Sequence, residues 1–263
     1  MSEIIEFWQR YDLKKPPYIH PDDATILEER WNGYVDSKPC LKFAQFLKSS
    51  RFGDFTDTRL HLSLIPVPYG GDLKHAEIVI LLLNPGFSYT DYYAETEVPE
   101  FRKQLIKNLY QDFKGLEFPF IWLNPAFCWH SGFNWWEKKL RGVLRVIADE
   151  KFKGDYLKAL QHLAQRIAHL ELVPYHSPSF SGHGLIAKLE SARTAKAYAQ
   201  GELLATTKQR KKSVIITRRK ADWGLSSSER ITVYEGGHTR GASLGPNTAG
   251  GRAILKACGI KFP

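Results

Sequence analysis

An uninterrupted apolar run occupies residues 78–83 and stops abruptly at Asn84-Pro85-Gly86. Its length is that of a buried strand. Apolar and polar residues do not alternate within the run, so we expect both faces of this strand to be covered, as in a parallel sheet. Further strands are expected where β-branched and apolar residues stand between turn-forming residues, at positions 169–174, 213–217 and 230–237.

Helices are indicated where apolar residues recur at intervals of three and four positions. One such segment, residues 135–150, carries Trp136, Leu140, Val143, Leu144 and Ile147. A second segment, residues 155–170, carries Leu157, Leu160, Leu163, Ala164, Ile167 and Leu170. Composition and spacing predict further helices in residues 97–113, 184–212 and 247–259, and shorter helical pieces in residues 1–50.

The order of these elements predicts an α/β domain with three layers, α/β/α, around a central, mainly parallel sheet of four strands. Right-handed crossover connections would place helices on both faces of that sheet. Residues 1–65 are expected to form an N-terminal helical extension packed on the main domain, which would span residues 66–263.

Composition is that of an ordinary globular protein, with 43% hydrophobic and 25% charged residues among 263. The chain has no run of 18 apolar residues, and its first residues lack the basic and apolar blocks of a signal peptide, so neither a membrane span nor secretion is expected. Three widely separated cysteines favour a reducing, cytoplasmic location. No metal or organic cofactor is expected, because glycine-rich phosphate loops and helix-borne histidine pairs are lacking.

The charge balance favours a nucleic-acid partner, with DNA as the first choice. Lys and Arg number 37 against 28 Asp and Glu, which gives a net charge of +9 and a pI near 9.3. The alternative is a basic protein with a solvated surface. The basic segment 208–220 is likewise either a solvated helix end or a phosphate-binding track. The sequence does not indicate the oligomeric state. Four tryptophans near the middle of the chain either pack in the core and in a lid or form a platform on which bases stack: Trp122, Trp129, Trp135 and Trp136.

Polar turns follow three of the predicted strands. They are Asn84-Pro85-Gly86, Tyr175-His176-Ser177-Pro178 and Gly237-His238-Thr239-Arg240-Gly241. If the strands are parallel, the three turns lie at one edge of the sheet and share a cleft, which is where open α/β sheets bind ligands. An amide side chain such as that of Asn84 can hold a water there or recognise a flat heterocycle. The alternative is that Asn84 only caps the segment that follows.

These motifs resemble those of the uracil-DNA glycosylase superfamily, over residues 66–258. The segment "LLLNPGFS" resembles the first motif of its Asn-Pro-Gly branch, the mismatch-specific and single-strand-selective type. The segments "ELVPYHS" and "VIITRRKADWGL" resemble the middle and penultimate strands. The segment "VYEGGHTRGASLGPNTAGGRAIL" stands where the second motif lies, with His238 at the motif histidine, but Thr239-Arg240-Gly241 replaces the usual Pro-Ser-Pro.

The resemblance implies a role for each candidate site residue. Asn84 would position the attacking water, and His238 would stabilise the departing base. Phe87 or Tyr89 would stack on the extruded base, and Arg240 would hold a phosphate. The expected substrate-binding residues are therefore Pro85, Gly86, Phe87, Tyr89, His176, Ser177 and Arg240.

Two functions of different class follow from this resemblance. The first is a uracil-DNA glycosylase-like hydrolase of DNA repair, which binds nucleic acid and breaks the N-glycosidic bond of a deaminated or damaged base. The alternative is a non-catalytic module on the same fold that binds nucleic acid or a nucleotide. The replaced second motif and the neutral Asn84 favour this alternative. A hydrolase that acts on a free nucleoside or nucleotide is a third possibility.

Overall fold

A mostly parallel sheet of five strands forms from the apolar and β-branched runs of the sequence. The strands lie in the order β1-β3-β2-β4-β5, and β2 pairs in parallel with β4, as β4 does with β5. β1 runs antiparallel to β3. The strand bounds are β1 Tyr69–Gly70, β2 Ile78–Leu82, β3 Ile167–Glu171, β4 Ser213–Ile216 and β5 Ile231–Val233. The first four residues of β2 are fully buried, which confirms the expectation that both of its faces are covered.

The computed structural model describes residues 2–29, 39–54, 56–209, 211–235 and 243–260. Within them the helices are α1 Glu3–Gln9, α2 Pro21–Glu29, α3 Phe43–Leu47, α4 Tyr89–Glu97, α5 Pro99–Leu109, α6 Ser131–Phe152, α7 Tyr156–Ala164, α8 Glu190–Tyr198, α9 Leu204–Lys208, α10 Lys220–Trp223 and α11 Ala249–Ala257. A π-helical segment, Ala199–Leu203, joins α8 to α9. None of the described helices combines the length and the apolar character needed to cross a bilayer.

Two compact units make up the chain, and each draws on separate stretches of sequence. The first comprises Met1–Pro68, Leu83–Asp112 and Glu171–Tyr198, and the second comprises Tyr69–Leu82, Phe113–Leu170 and Ala199–Pro263. In the first unit, α1 and α2 pack on α8, and α4 packs on α3 and α5. In the second unit, α6 packs on α7 and α11, and α11 also covers β4 and β5. The extension predicted for residues 1–65 stays a prediction.

The sheet has five strands instead of the predicted four. The additional strand is β1, which lies in a segment where no strand was predicted. Two paired residues are too few to show an alternating pattern, so no periodicity marks this strand. Its glycine is needed for close approach, because a Cβ on Gly70 would lie 2.3 Å from Nε2 of His169.

The helix predicted for residues 155–170 is too long. Helix α7 ends at Ala164, and β3 begins at Ile167, so Ile167 and Leu170 belong to a strand. Every residue of β3 is buried, and a strand buried on both faces shows no alternation. Its apolar residues continue the spacing of the helix by coincidence. The helices predicted in residues 97–113, 135–150 and 247–259 are confirmed as α5, α6 and α11.

Candidate functional site

The Asn-Pro-Gly turn, residues 84–86, is fixed at both ends. The carbonyl just before Asn84 accepts a hydrogen bond of 2.8 Å from the N–H of Val173. After the turn, Ser88 caps α4, and its Oγ accepts a backbone N–H of the first helical turn at 3.3 Å. Gly86 has a φ of +72°, a conformation that glycine adopts without steric cost. The backbone therefore presents the Asn84 side chain in a defined direction.

Side-chain and backbone hydrogen bonds join this turn to the turn after β3. Nδ2 of Asn84 donates to Oγ of Ser177 at 3.0 Å. The N–H of Ser177 donates to the carbonyl of Gly86 at 3.2 Å, and Nδ1 of His176 lies 3.0 Å from the same oxygen. Two of the three predicted polar turns are thus in contact within the first unit.

His176 lies between two backbone carbonyls. Besides the contact of Nδ1 with Gly86, Nε2 lies 3.2 Å from the carbonyl of Ile65, and the residue is 5% exposed. A neutral imidazole can donate to one of these oxygens, whereas an imidazolium can donate to both. The carbonyl of His176 itself accepts the N–H of His61 at 2.8 Å. Through these contacts, His176 stabilises the conformation of the Asn-Pro-Gly turn.

The two candidate stacking residues differ in their surroundings. Phe87 is partly exposed, and its ring stacks on His61 with a centroid distance of 3.8 Å and an interplanar angle of 14°. The hydroxyl of Tyr89 instead accepts the N–H of Gly53 at 2.9 Å, and its ring lies 4.9 Å from that of Phe52. Phe87 and Tyr89 both pack against an aromatic cluster built on Cys40, Phe46, Leu64 and Tyr92.

A buried charged network lies behind Phe87. Asp57 is 4% exposed and accepts hydrogen bonds from Nε of Arg51 at 2.7 Å and from Nε of Arg59 at 2.8 Å. Oδ2 of Asp57 also lies 3.5 Å from Nε2 of His61. The other ring nitrogen of His61 lies 3.2 Å from the hydroxyl of Tyr92. The network therefore fixes the orientation of the ring on which Phe87 stacks.

The protonation states in this network follow from burial and charge. Burial lowers the pKa of His61 to about 4, and the Asp57 hydrogen bond, which acts in the opposite direction, does not compensate. His61 is therefore neutral near pH 7. Burial alone would raise the pKa of Asp57, but hydrogen bonds from His61, Arg59 and Arg51 lower it well below its usual range. Asp57 is therefore ionised.

Sequence reasoning did not single out Arg51, Asp57 or His61. Their one visible signal is the density of charged and polar residues in "RFGDFTDTRLH", residues 51–61, where Asp57 and His61 stand four apart. Such a segment is typical of a solvated loop. Its burial depends on the aromatic residues that cover it, and these come from distant positions along the chain.

The other candidate residues divide into two groups. His238 and Arg240 lie outside the described residues, as does the rest of the turn at 237–241. In the basic segment 208–220, Lys212 is 7% exposed, and its Nζ donates to three backbone carbonyls at 2.9, 3.1 and 2.6 Å, those of Leu73, Lys74 and Ala76. Lys212 therefore does not form part of a surface phosphate track.

Metal binding has no support in the described ranges, where no three His, Cys, Asp or Glu side chains are grouped as ligands. The side chains that this site offers are those of Asn84, Ser177 and His176, together with the ring of Phe87. Comparisons of the chain with protein-family models, with curated proteins and with solved structures found no match.

Proposed function

We propose that this protein binds nucleic acid and hydrolyses the N-glycosidic bond of a deaminated or damaged base, in the manner of a uracil-DNA glycosylase. The observation that carries the proposal is the hydrogen bond from Asn84 to Ser177, which orients the amide on a rigid turn. An asparagine at such a position acts by placing a water, because it cannot take the proton of that water. Its orientation is therefore the property that matters.

The geometry leaves Oδ1 of Asn84 to accept a hydrogen bond from a water. Nδ2 donates to Ser177, and within the described part of the chain this is the one hydrogen bond of the Asn84 side chain. A water that donates to Oδ1 keeps a lone pair for C1′ of a bound nucleotide. Its oxygen bonds to C1′ as the bond to the base breaks. The electron pair leaves with the base, and the proton of the water passes to solvent.

The remaining roles extend the same proposal. Phe87 stacks on the extruded base, because its ring is partly exposed and His61 supports one face at 3.8 Å. The net charge of +9 attracts the phosphate backbone.

A second candidate is a binding module that recognises a base without cleaving it. One observation favours it. Both ring nitrogens of His176 face backbone carbonyls, and Asn84 is neutral, so neither residue is placed to exchange a proton with a substrate. Such a site can still recognise a base through the Asn84 amide and the Phe87 ring.

One pair of assays on the same labelled oligonucleotides separates the two candidates. The probes carry uracil, or thymine or uracil opposite guanine, in single and double strands. Alkali cleavage detects abasic sites, and a gel shift detects binding. We expect alkali-labile product from the native protein and its loss in Asn84→Ala. A gel shift that yields no abasic product would favour the binding module.

The matched control is Asn124→Ala. Asn124 also precedes a proline and is partly exposed, and its side chain accepts a hydrogen bond from the N–H of Ala126 at 3.1 Å. It belongs to the second unit. The proposal requires Asn124→Ala to keep the activity that Asn84→Ala loses. Equal loss in both variants would indicate general destabilisation.

A further inference from the structure

The turn that carries Ser177 is short and stiff. Tyr175, His176 and Ser177 stand between Pro174 and Pro178, all within the first unit. The ring of Pro178 disfavours helical backbone at Ser177, and Pro174 has a fixed φ, so few torsions of this turn can absorb a displacement. The position of Ser177 therefore depends on how the residues just before it are held.

Hydrogen bonds inside the first unit hold the side chain of Tyr175. Its hydroxyl donates to Oδ2 of Asp23 at 2.6 Å and accepts the N–H of His20 at 3.2 Å. Tyr175 is 1% exposed and Asp23 is 0% exposed. Burial raises the pKa of Tyr175 well above its ordinary value of 10, and the charge of Asp23 raises it further. The hydroxyl therefore keeps its proton and remains the donor to Asp23.

Two helices hold Asp23 in turn. Asp23 lies in the first turn of α2, and its Oδ1 accepts the N–H of Ser191, in the first turn of α8, at 3.0 Å. The first amide groups of a helix lack partners within the helix and carry partial positive charge, so both helices stabilise a carboxylate at this point. Asp23 is therefore a fixed acceptor for the Tyr175 hydroxyl.

The backbone bond of Ser177 is longer than the bond that holds Tyr175. The N–H of Ser177 donates to the carbonyl of Gly86 at 3.2 Å, whereas the Tyr175 hydroxyl meets the Asp23 carboxyl at 2.6 Å. Hydrogen bonds to charged groups are shorter and about twice as strong as those between neutral groups. The bond from Nδ2 of Asn84 to Oγ of Ser177, at 3.0 Å, is lost if its two atoms separate by about half an ångström more.

We infer that Tyr175 and Asp23 are positioning residues of the candidate site, which act through Ser177 on the amide of Asn84. The inference rests on the proposed function, in which the direction of that amide places the attacking water. It adds that a side chain from helix α2, near the start of the chain, determines the geometry of the site. Both side chains are buried, so neither contacts a substrate.

The NMR signal of the Asn84 side-chain amide tests the inference without any excision activity. Protein labelled at asparagine with a nitrogen isotope gives this signal, and its absence in Asn84→Ala assigns it. We expect Tyr175→Phe to move the signal in the same direction as Ser177→Ala, because both variants lose the bond between Asn84 and Ser177. Asp23→Asn weakens the bond to Tyr175 and should cause a smaller shift in that direction. It leaves no buried charge without a partner, so it decides the question even where Tyr175→Phe does not fold.

Tyr110→Phe is the matched control. Tyr110 also belongs to the first unit, and its hydroxyl also donates a hydrogen bond, to the carbonyl of Tyr11 at 2.8 Å. We expect this variant to leave the Asn84 signal unchanged. The inference is overturned if the signal stays unchanged in both Tyr175→Phe and Asp23→Asn, or if Tyr110→Phe shifts it equally.

Excision kinetics on the uracil probe give a second readout. Tyr175→Phe should lower kcat about 3- to 10-fold with little change in KM. Because Tyr175 acts through Ser177, the double variant that combines Tyr175→Phe with Ser177→Ala should be no slower than Ser177→Ala alone. Additive losses of kcat would indicate a purely structural role and overturn the inference. A protein that excises no base but shows the expected shifts of the amide signal supports the positioning and contradicts only the proposed function.

Discussion

The orientation of one amide carries the proposed chemistry at the residue scale. Asn84 donates to Ser177, and Ser177 is itself fixed by its N–H bond to Gly86. Ser177 is 1% exposed, so its hydroxyl has little access to solvent. In the proposed mechanism, Ser177 is therefore a positioning residue, which acts through Asn84 and touches no reacting atom.

Ser177→Ala should lower the excision rate without unfolding the protein. Loss of one hydrogen bond leaves Nδ2 of Asn84 without its partner, and we expect kcat to fall about 3- to 10-fold while KM changes little. Steady-state kinetics on the uracil probe measure both constants. Ser177→Thr keeps the hydroxyl and should restore most of kcat. A rise in KM with unchanged kcat would contradict the positioning role.

The raised pKa of Glu95 predicts that the contribution of this residue to the free energy of unfolding decreases as pH rises. Burial raises the pKa of Glu95 well above its ordinary value of 4.5, although the N–H of Ile65 donates to its carboxyl oxygens. Between pH 4.5 and the raised value, the folded state holds a proton that the unfolded state releases. The contribution of Glu95 to stability is therefore complete below pH 4.5 and is lost as pH rises.

Glu95→Gln removes this titration while keeping an acceptor for Ile65. The variant should gain stability relative to the native protein as pH rises from 4.5 to 8. Urea denaturation at a series of pH values measures the difference. A difference that is constant with pH would show that Glu95 does not titrate in the folded protein.

At the element scale, the first turn of helix α11 packs closely against the loop that precedes the helix. A Cβ on Gly251 would lie 1.9 Å from the carbonyl oxygen of Gly245, which is backbone and cannot move aside easily. The N–H of Gly251 donates to Oγ1 of the N-cap residue Thr248 at 3.0 Å. The sequence predicted the helix, but only the packing explains its glycine.

Gly251→Ala should destabilise the protein by about 2 kcal/mol or more, against the gain of about 1 kcal/mol that alanine usually gives within a helix. Gly201→Ala is the matched control, because a Cβ on Gly201 meets no atom within 4 Å. Thermal or urea unfolding of both variants measures the contrast. A Gly251→Ala protein as stable as Gly201→Ala would contradict the close approach.

Many helices and strands could be predicted because the pattern that indicates each of them lies within one run of consecutive residues. Such patterns predicted strand β2 from its apolar run, helix α6 from its amphipathic spacing, and helix α11 near the end of the chain. The sequence did not predict the two-residue strand β1 or the start of β3 at Ile167, because pairing between distant segments determines both. The contact of Asn84 with Ser177 followed from the expected sheet edge, whereas the network of Asp57 and His61 depends on burial that no local pattern shows.

At the scale of the whole molecule, each unit contains a histidine buried in its neutral form. Burial lowers the pKa of His61 in the first unit to about 4 and that of His169 in the second unit to about 3. The unfolded chain protonates both near pH 6.5. The stability that they contribute is therefore complete above pH 6.5 and is lost as pH falls toward 4.

His61→Phe should make stability less sensitive to acid. The native protein takes up one more proton at His61 on unfolding between pH 6.5 and 4, which is worth about 1.4 kcal/mol per pH unit. Phenylalanine preserves the stacking on Phe87 but removes this proton. Urea titrations at a series of pH values give the slope of the free energy of unfolding against pH. This slope should fall by about 1.4 kcal/mol per pH unit, which corresponds to one proton. Equal slopes for both proteins would indicate that His61 is charged in the folded state.

The most direct test of the central claim compares single-turnover rates of abasic-site formation in Asn84→Asp, Asn84→Ala and the native protein. A carboxylate at residue 84 cannot donate to Ser177 as Asn84 does, but it can accept a hydrogen bond from the Ser177 hydroxyl. It can also accept the proton of the water and stabilise a cationic sugar. We predict that Asn84→Asp is at least as fast as the native protein and that Asn84→Ala is slower by about a hundredfold. Equal rates in all three proteins, or no abasic product from the native protein, would contradict the account.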